Sequence, residues 1–438
     1  MMPATLLPEP HPPGAHDRQR PAMFSGETVA NLAFLALFPG FFFYQSAIGA
    51  GIIGPVLGGY FSLVAFAVLP PLLFVYGSNV MASRRFFTGA DLAFCCFIAY
   101  FLSIVALNYA GGAEPDVSTH HALSISHLVA VFIIFRLADF HRRTMRRVTL
   151  LSLLLMSIVI FMQSGEGSFY LDNKADGDES SGLATYQGFA RSYLVTLLAV
   201  APFAVTRRGR IVLYLFAVPA LYLNGARSEL LVSIALVMAI EVFHARHKLT
   251  VLMVFLALFG AVLWNADELI RVLPHNRTLE LLESFSSSSV ESRNMLFAHA
   301  LETIGRYPLL GEYGGYFAVH GPGSYVHNIF SAWVDIGLFG FLYLLLMILV
   351  PTAHLGMEIG RTRNLQNRLH RQELLLAFGV LFVTVLMVFS AKSFTYMVIG
   401  GALGRYAHYR STYVTGTYRP PHLGAPARRF THFPQAMP

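Results

Sequence analysis

Residues 288–340 read SSVESRNMLFAHALETIGRYPLLGEYGGYFAVHGPGSYVHNIFSAWVDIGLFG. Ser288-Ser289-Val290-Glu291 has the form of a capping box, in which the Ser and Glu side chains each satisfy a free backbone N–H. The spacing predicts a helix from there to about Ile304. Val290, Phe297, Leu301 and Ile304 fall on one apolar face, with Arg293 and Ala300 on another. Gly305 and Pro308 stop it. Such an amphipathic helix lies at a membrane surface or roofs a cavity. A glycine-rich turn follows, and from His327-Asn328 onward the chain turns apolar over 328–350, long enough to cross a bilayer.

Outward from this stretch the chain has the same character. Of its 438 residues 55% are apolar and only 13% charged, with mean hydropathy +0.56, whereas a soluble domain carries about 25% charged residues. Apolar runs occupy 28–46, 57–76, 91–109, 122–139, 147–164, 186–206, 210–225, 228–243, 249–265, 328–350, 372–391 and 394–408. The run at 210–225 is short and carries Pro219; the last is short and holds Gly400, Gly401 and Gly404. The expected fold is all-α: a polytopic integral membrane protein of about 12 transmembrane helices, with one large external loop containing an amphipathic helix. This divides the chain into a disordered tail (1–27), helices one to nine (28–265), the loop (266–327), helices ten to twelve (328–408) and a second tail (409–438).

Charge supports this layout. With the N-terminus inside, 23 of the 31 lysines and arginines fall on the cytoplasmic side, as the positive-inside rule requires. The exceptions are Lys174, Arg191, Arg227, Arg271, Arg277, Arg293, Arg306 and Lys392. The net charge of +7 is therefore read as topology and not as a nucleic-acid surface. Cys95 and Cys96 are adjacent in one apolar run and form no disulfide framework or zinc spacing. The first 26 residues lack an apolar core followed by a small-residue cleavage site, so no cleaved signal peptide is expected.

The external cations are candidates for chemistry. Arg227, in Asn224-Gly225-Ala226-Arg227-Ser228-Glu229, sits in a tight connection between spans; its fork suits a phosphate, or it pairs with Glu229. Arg191 falls about one turn inside the sixth span, where an arginine marks function or a buried pair. Arg293 points into a cavity or to solvent. Arg277 and Arg306 are weaker candidates. His327 and Asn328 stand where the tenth span begins, at backbone N–H groups that favour anions, and a histidine there can move a proton near neutrality. Asp335, two turns deeper, reads as a structural orienter. Asp172, Asp176, Asp178 and Glu179 in the acidic loop 165–185 read as solvated charge, and His120, His121 and His127 have no metal-ligand partner set. A transporter of this size is expected to show two matching halves, and no repeat is found.

Two blocks resemble the O-antigen ligase and Wzy-type polysaccharide polymerase superfamily. One is GARSELLVSIALVMAIEVF; the other is the Arg293 helix, YPLLGEYGGYF and HNIFSAWVDIGLFGFLYLLL. Together they cover about 220–350. The family often carries glutamate at the position of Asp335, and its Asn-containing motif near Arg191 is absent. The resemblance implies a bacterial inner-membrane glycosyltransferase with both termini cytoplasmic and residues 266–327 as a periplasmic catalytic loop. Its substrate would be an undecaprenyl-pyrophosphate-linked oligosaccharide. Arg227 and Arg293 would act with His327 in catalysis, with Arg191, Arg227, Arg293 and Asn328 binding the substrate. No metal or cofactor is expected; a chain-length regulator and a flippase are the expected partners. The resemblance implies a polymerase of exopolysaccharide, capsule or O-antigen repeats. The alternatives are a ligase moving glycan to lipid A-core and, in a different class, a transporter of lipid-linked saccharides.

Overall fold

The computed structural model describes residues 26–57, 60–165, 169, 186–274, 276, 278–279, 288–321, 324–361 and 368–414, excluding the side chains of 288–290 and 361. The tails, most of the acidic loop, Arg277 and the Ser288 side of the capping box lie outside them. Within the described residues all regular structure is helical.

Every apolar run is occupied by a helix. They are α1 (Gly26–Gly49), α2 (Phe61–Ala82), α3 (Gly89–Ala110), α4 (Pro115–Leu137), α5 (Arg143–Gln163), α6 (Tyr186–Val200), α7 (Arg207–Asn224), α8 (Arg227–His244) and α9 (Lys248–Trp264). After the loop come α13 (Phe330–Arg361), α14 (Arg368–Ser390) and α15 (Val398–Tyr409). The loop itself holds α10 (Ala266–Val272), α11 (Ser288–Arg306) and α12 (Gly315–His320).

By length and apolarity seven of these can cross a membrane: α1–α5, α13 and α14. The pair α9 and α10, bent by 72°, makes an eighth if it is one span. The chain is thus a multi-pass membrane protein. α6 and α15, with 15 and 12 residues, are short of a crossing at 1.5 Å rise per residue. α7 continues through Pro219. α9 buries no residue, and α2 buries only Ala65 and Leu72, so apolar side chains on both face outward, as lipid demands.

The short glycine-containing α15 is the centre of the bundle; all 12 of its residues are buried. A Cβ at Gly400 would stand 2.1 Å from the Leu128 carbonyl oxygen, and one at Gly404 would stand 2.2 Å from that of Phe132. The two glycines therefore let α15 lie backbone to backbone on α4, the small-residue device of membrane helix pairs.

Two arginines counted on the cytoplasmic side, Arg136 and Arg405, lie within helices of the apolar runs and are fully buried. Arg136, on α4, pairs with Asp91 at 3.0 Å with neither side chain exposed. Asp91 also accepts from Tyr76 and closes a capping box with Thr88. Arg405, on α15, pairs with Glu373, which also meets His141 at 3.0 Å. A buried charge survives only when paired and hydrogen-bonded, and these pairs tie α3 to α4 and α14 to α15.

The turn after α11 docks on a break in α13. Ile336 and Gly337 leave helical geometry, which frees backbone groups for the turn. Glu312 N donates to Val334 O at 2.7 Å, and Leu338 N donates to Leu309 O at 3.0 Å. Trp333 Nε1 donates to Pro308 O at 2.7 Å, and Tyr100 Oη to Ile336 O at 2.7 Å. Asp335 accepts from Gly314 N at 3.2 Å, the orienting role its position suggested. α11 rests above this contact, but on a different face from the one expected. Ala300 and Thr303 are buried and Leu296 and Ile304 partly so, while Phe297 and Leu301 are exposed. Arg293 lies two turns before Ala300 along the same side of the helix; it is exposed, and its charge reaches His327 and Lys392.

Candidate functional site

Five segments meet at one end of the bundle: the starts of α6 and α8, the approach to α13, the link between α14 and α15, and α11. Lys392, in that link, is 5% exposed and forms a 2.9 Å ion pair with the fully buried Glu229 of α8. Its Nζ also lies 3.4 Å from Gln187 Oε1 on α6. Arg191, one turn further along α6, stacks its guanidinium over Tyr396 at 5.6 Å. Its Nε is buried with no hydrogen-bond partner among the described residues.

His327 stands beside this cluster. Its ring centroid is 4.5 Å from that of Tyr325, and Nδ1 lies 3.4 Å from the Ala391 carbonyl oxygen. Burial holds its pKa below the ordinary histidine value; the charges of Arg293 and Lys392 push the same way, and the Ala391 carbonyl opposes them. Lys392 is also held below its ordinary value, by burial first and then by Arg191 and Arg293, against the pull of Glu229. Burial raises the Tyr325 hydroxyl, opposed by Arg191 and Arg293. These couplings link Lys392 and Tyr325 to both Arg191 and Arg293, and His327 to Arg293 and Lys392.

Three of the expected residues, Arg191, Arg293 and His327, are thus brought together. Arg227 opens α8, half-buried, two residues before Glu229. Asn328 Oδ1 accepts from Phe330 N at 2.9 Å and caps α13. Arg306 is exposed and pairs with Glu302. The sequence reading missed Lys392 and Glu229 as a pair. The available signal was a lysine among the external exceptions, set in a short link between apolar runs.

Among the described residues Lys392 pairs with Glu229, and Arg191 and Arg293 add positive charge beside that pair. Clustered cations at low dielectric repel each other strongly, an arrangement that favours a bound anion. Arg191 Nε supplies an unused donor for it. A neutral imidazole beside that anion can accept a proton.

A comparison with protein-family models gives no match. No curated protein matches the chain either.

Proposed function

We propose that this chain is a polysaccharide polymerase that joins undecaprenyl-pyrophosphate-linked repeat units at the outer face of the bacterial inner membrane. The observation carrying the reading is the meeting of Arg191, Arg293 and Lys392 beside a histidine kept neutral at ordinary pH. In this reading all twelve helices of the apolar runs cross or enter the membrane. Both termini are cytoplasmic, and 266–327 is periplasmic. The basic flanks of α5, α7 and α14 at the opposite end of the bundle support that orientation.

The chemistry follows from the groups present. An acceptor hydroxyl attacks the anomeric carbon of the donor sugar, and a new C–O bond forms. The bond from that carbon to the phosphate oxygen breaks, and its electron pair leaves with undecaprenyl pyrophosphate. The acceptor proton passes to His327. Attack opposite the leaving group inverts the anomeric centre. Arg191 and Arg293, with Arg227 at the start of α8, hold the diphosphate. Fixed cations facing charge that grows as the bond breaks lower the barrier without reorganising.

The test is reconstitution. Wild-type protein in nanodiscs, given labelled lipid-linked repeats, is expected to release undecaprenyl pyrophosphate and lengthen the glycan, and His327→Ala to slow this by about 10²–10⁴-fold. Glycan transfer only when lipid A-core is added would make the chain a ligase. Passage of intact lipid-linked repeats across a liposome membrane without elongation would make it a transporter.

A further inference from the structure

Beside the cationic cluster is a cavity of about 390 Å³ whose chemistry is different. Among its lining residues are His121, Tyr316, Ser324, Asp335, Phe394 and Thr395. It shares Tyr325 with the cationic site, and the α14–α15 link serves both. That link gives Lys392 to one and Ser393, Phe394 and Thr395 to the other. No lysine or arginine is among the described lining residues, and two carboxylates, Asp116 and Asp335, are. A diphosphate is disfavoured here by the same electrostatics that favour it next door.

Two buried polar atoms on residues of this lining are unsatisfied. His121 is 5% exposed and Tyr316 is 2% exposed. Neither His121 Nδ1 nor the Tyr316 hydroxyl has a hydrogen-bond partner among the described residues. Asp335 lies within electrostatic reach of that hydroxyl. Unmet buried groups are costly, and an apolar ligand would leave the cavity as unsatisfied as before. What fits is a compact neutral molecule with hydroxyls around its edge and an apolar face for Phe394. The volume lies in the range of small-ligand sites, about 300–1,000 Å³.

We infer that this cavity binds a sugar ring of the acceptor glycan, with Tyr316, His121 and Asp335 meeting its hydroxyls. The name of the ligand rests on the polymerase reading; the neutral, hydroxylated chemistry does not. A ring held here reaches the catalytic centre past Tyr325, whose ring touches that of His327. The two compartments thus separate the partners of the reaction, with diphosphate among cations and acceptor among hydroxyls.

The probe is the oligosaccharide repeat released by mild acid from the source organism's own lipid-linked pool. It carries no diphosphate, so it lacks the group that the cationic compartment would hold. Binding to purified full-length protein is measured directly, in parallel with binding of sugar-free undecaprenyl pyrophosphate. Tyr316→Phe, which keeps the ring and deletes one hydroxyl, is expected to weaken oligosaccharide binding about tenfold and leave undecaprenyl pyrophosphate binding within twofold. His121→Gln and Thr395→Val serve the same purpose if Tyr316→Phe fails to fold. Arg293→Gln is expected to do the reverse.

The proposal is overturned if the oligosaccharide does not bind wild type, or if none of the cavity variants weakens it. It is equally overturned if both ligands weaken in parallel. Failure of the polymerase reading shows separately, as a wild-type protein that binds the oligosaccharide and never elongates lipid-linked repeats.

Discussion

Gly311 and Gly337 belong to one backbone-to-backbone contact, where the turn after α11 meets the break in α13, and both adopt left-handed geometry with φ of 70° and 71°. A Cβ on Gly311 would stand 2.2 Å from Val334 O, and one on Gly337 would stand 2.6 Å from Leu309 O. Positive-φ backbone of this kind costs a non-glycine residue about 1–3 kcal/mol, and here the carbonyls cannot retreat without breaking the hydrogen bonds that dock the turn. Gly311→Ala and Gly337→Ala are each expected to lower the melting temperature in detergent and to open the 307–315 turn to limited proteolysis. Gly305→Ala, in α11 with nothing within 4 Å of its Cβ position, is the control and should change neither.

The glycines of that turn were visible in the sequence, but not the helix break they serve, because φ and partner carbonyls leave no pattern in one dimension. The same boundary runs through the rest of the molecule. Long apolar runs were legible because bilayer crossing needs composition more than contact, and every one of them is a helix. Arg136 and Arg405 were counted only as cytoplasmic charge, and their buried pairing went unread, because their partners, Asp91 and Glu373, are 45 and 32 residues away. The packed face of α11 was misread because the bundle takes the small Ala300 against Tyr316 and Val334 and leaves the larger Phe297 and Leu301 exposed. Arg191, Arg293 and His327 could be picked out as misplaced polar residues; Lys392 could not be assigned to them without the fold.

Breaking the Lys392–Glu229 pair should separate stability from function. Both side chains are buried, and removing one partner of such a pair costs about 3–5 kcal/mol, since the other charge remains. Glu229→Gln is therefore expected to unfold at lower temperature, with Lys392 left facing Arg191 and Arg293. The double variant Glu229→Leu with Lys392→Met removes both charges and should regain most of the lost stability while binding undecaprenyl pyrophosphate less tightly than wild type, because the Lys392 cation is gone. Thermal unfolding and binding, measured on the same preparations, check the two halves; wild-type binding by the double variant would show the pair to be purely structural.

The pH dependence follows from His327. Its folded pKa is lowered by burial and then by Arg293, so the ring is neutral and able to accept a proton at pH 7. Elongation should hold steady as pH falls to about 6.5, the ordinary histidine value, and decline only as pH drops through the lowered folded value. The unfolded chain binds a proton near about 6.5 that the folded chain refuses, so this group's contribution to stability also falls below that pH and levels off under the folded value. Arg293→Gln removes one of the depressing charges, so the acid limb of its residual rate should move up toward 6.5. A limb that stays put or moves down would remove His327 as the base.

Arg191 offers the sharpest test of what the cations are for. Its Nε is buried and unused, and its guanidinium is steadied over Tyr396, so the group is held in place with a donor to spare. A charge-assisted hydrogen bond to a diphosphate contributes about 1.5–3 kcal/mol, which corresponds to a tenfold to hundredfold change in affinity. Arg191→Gln is expected to weaken undecaprenyl pyrophosphate binding within that span, with the salt dependence of binding reduced as well. Arg191→Lys keeps the charge but loses the planar fork, so it should fall between the two. Arg306→Gln removes an exposed arginine already paired on its own helix and should bind like wild type. If Arg191→Gln and Arg306→Gln bind equally, attraction to net charge alone accounts for the affinity and no anion is held at Arg191.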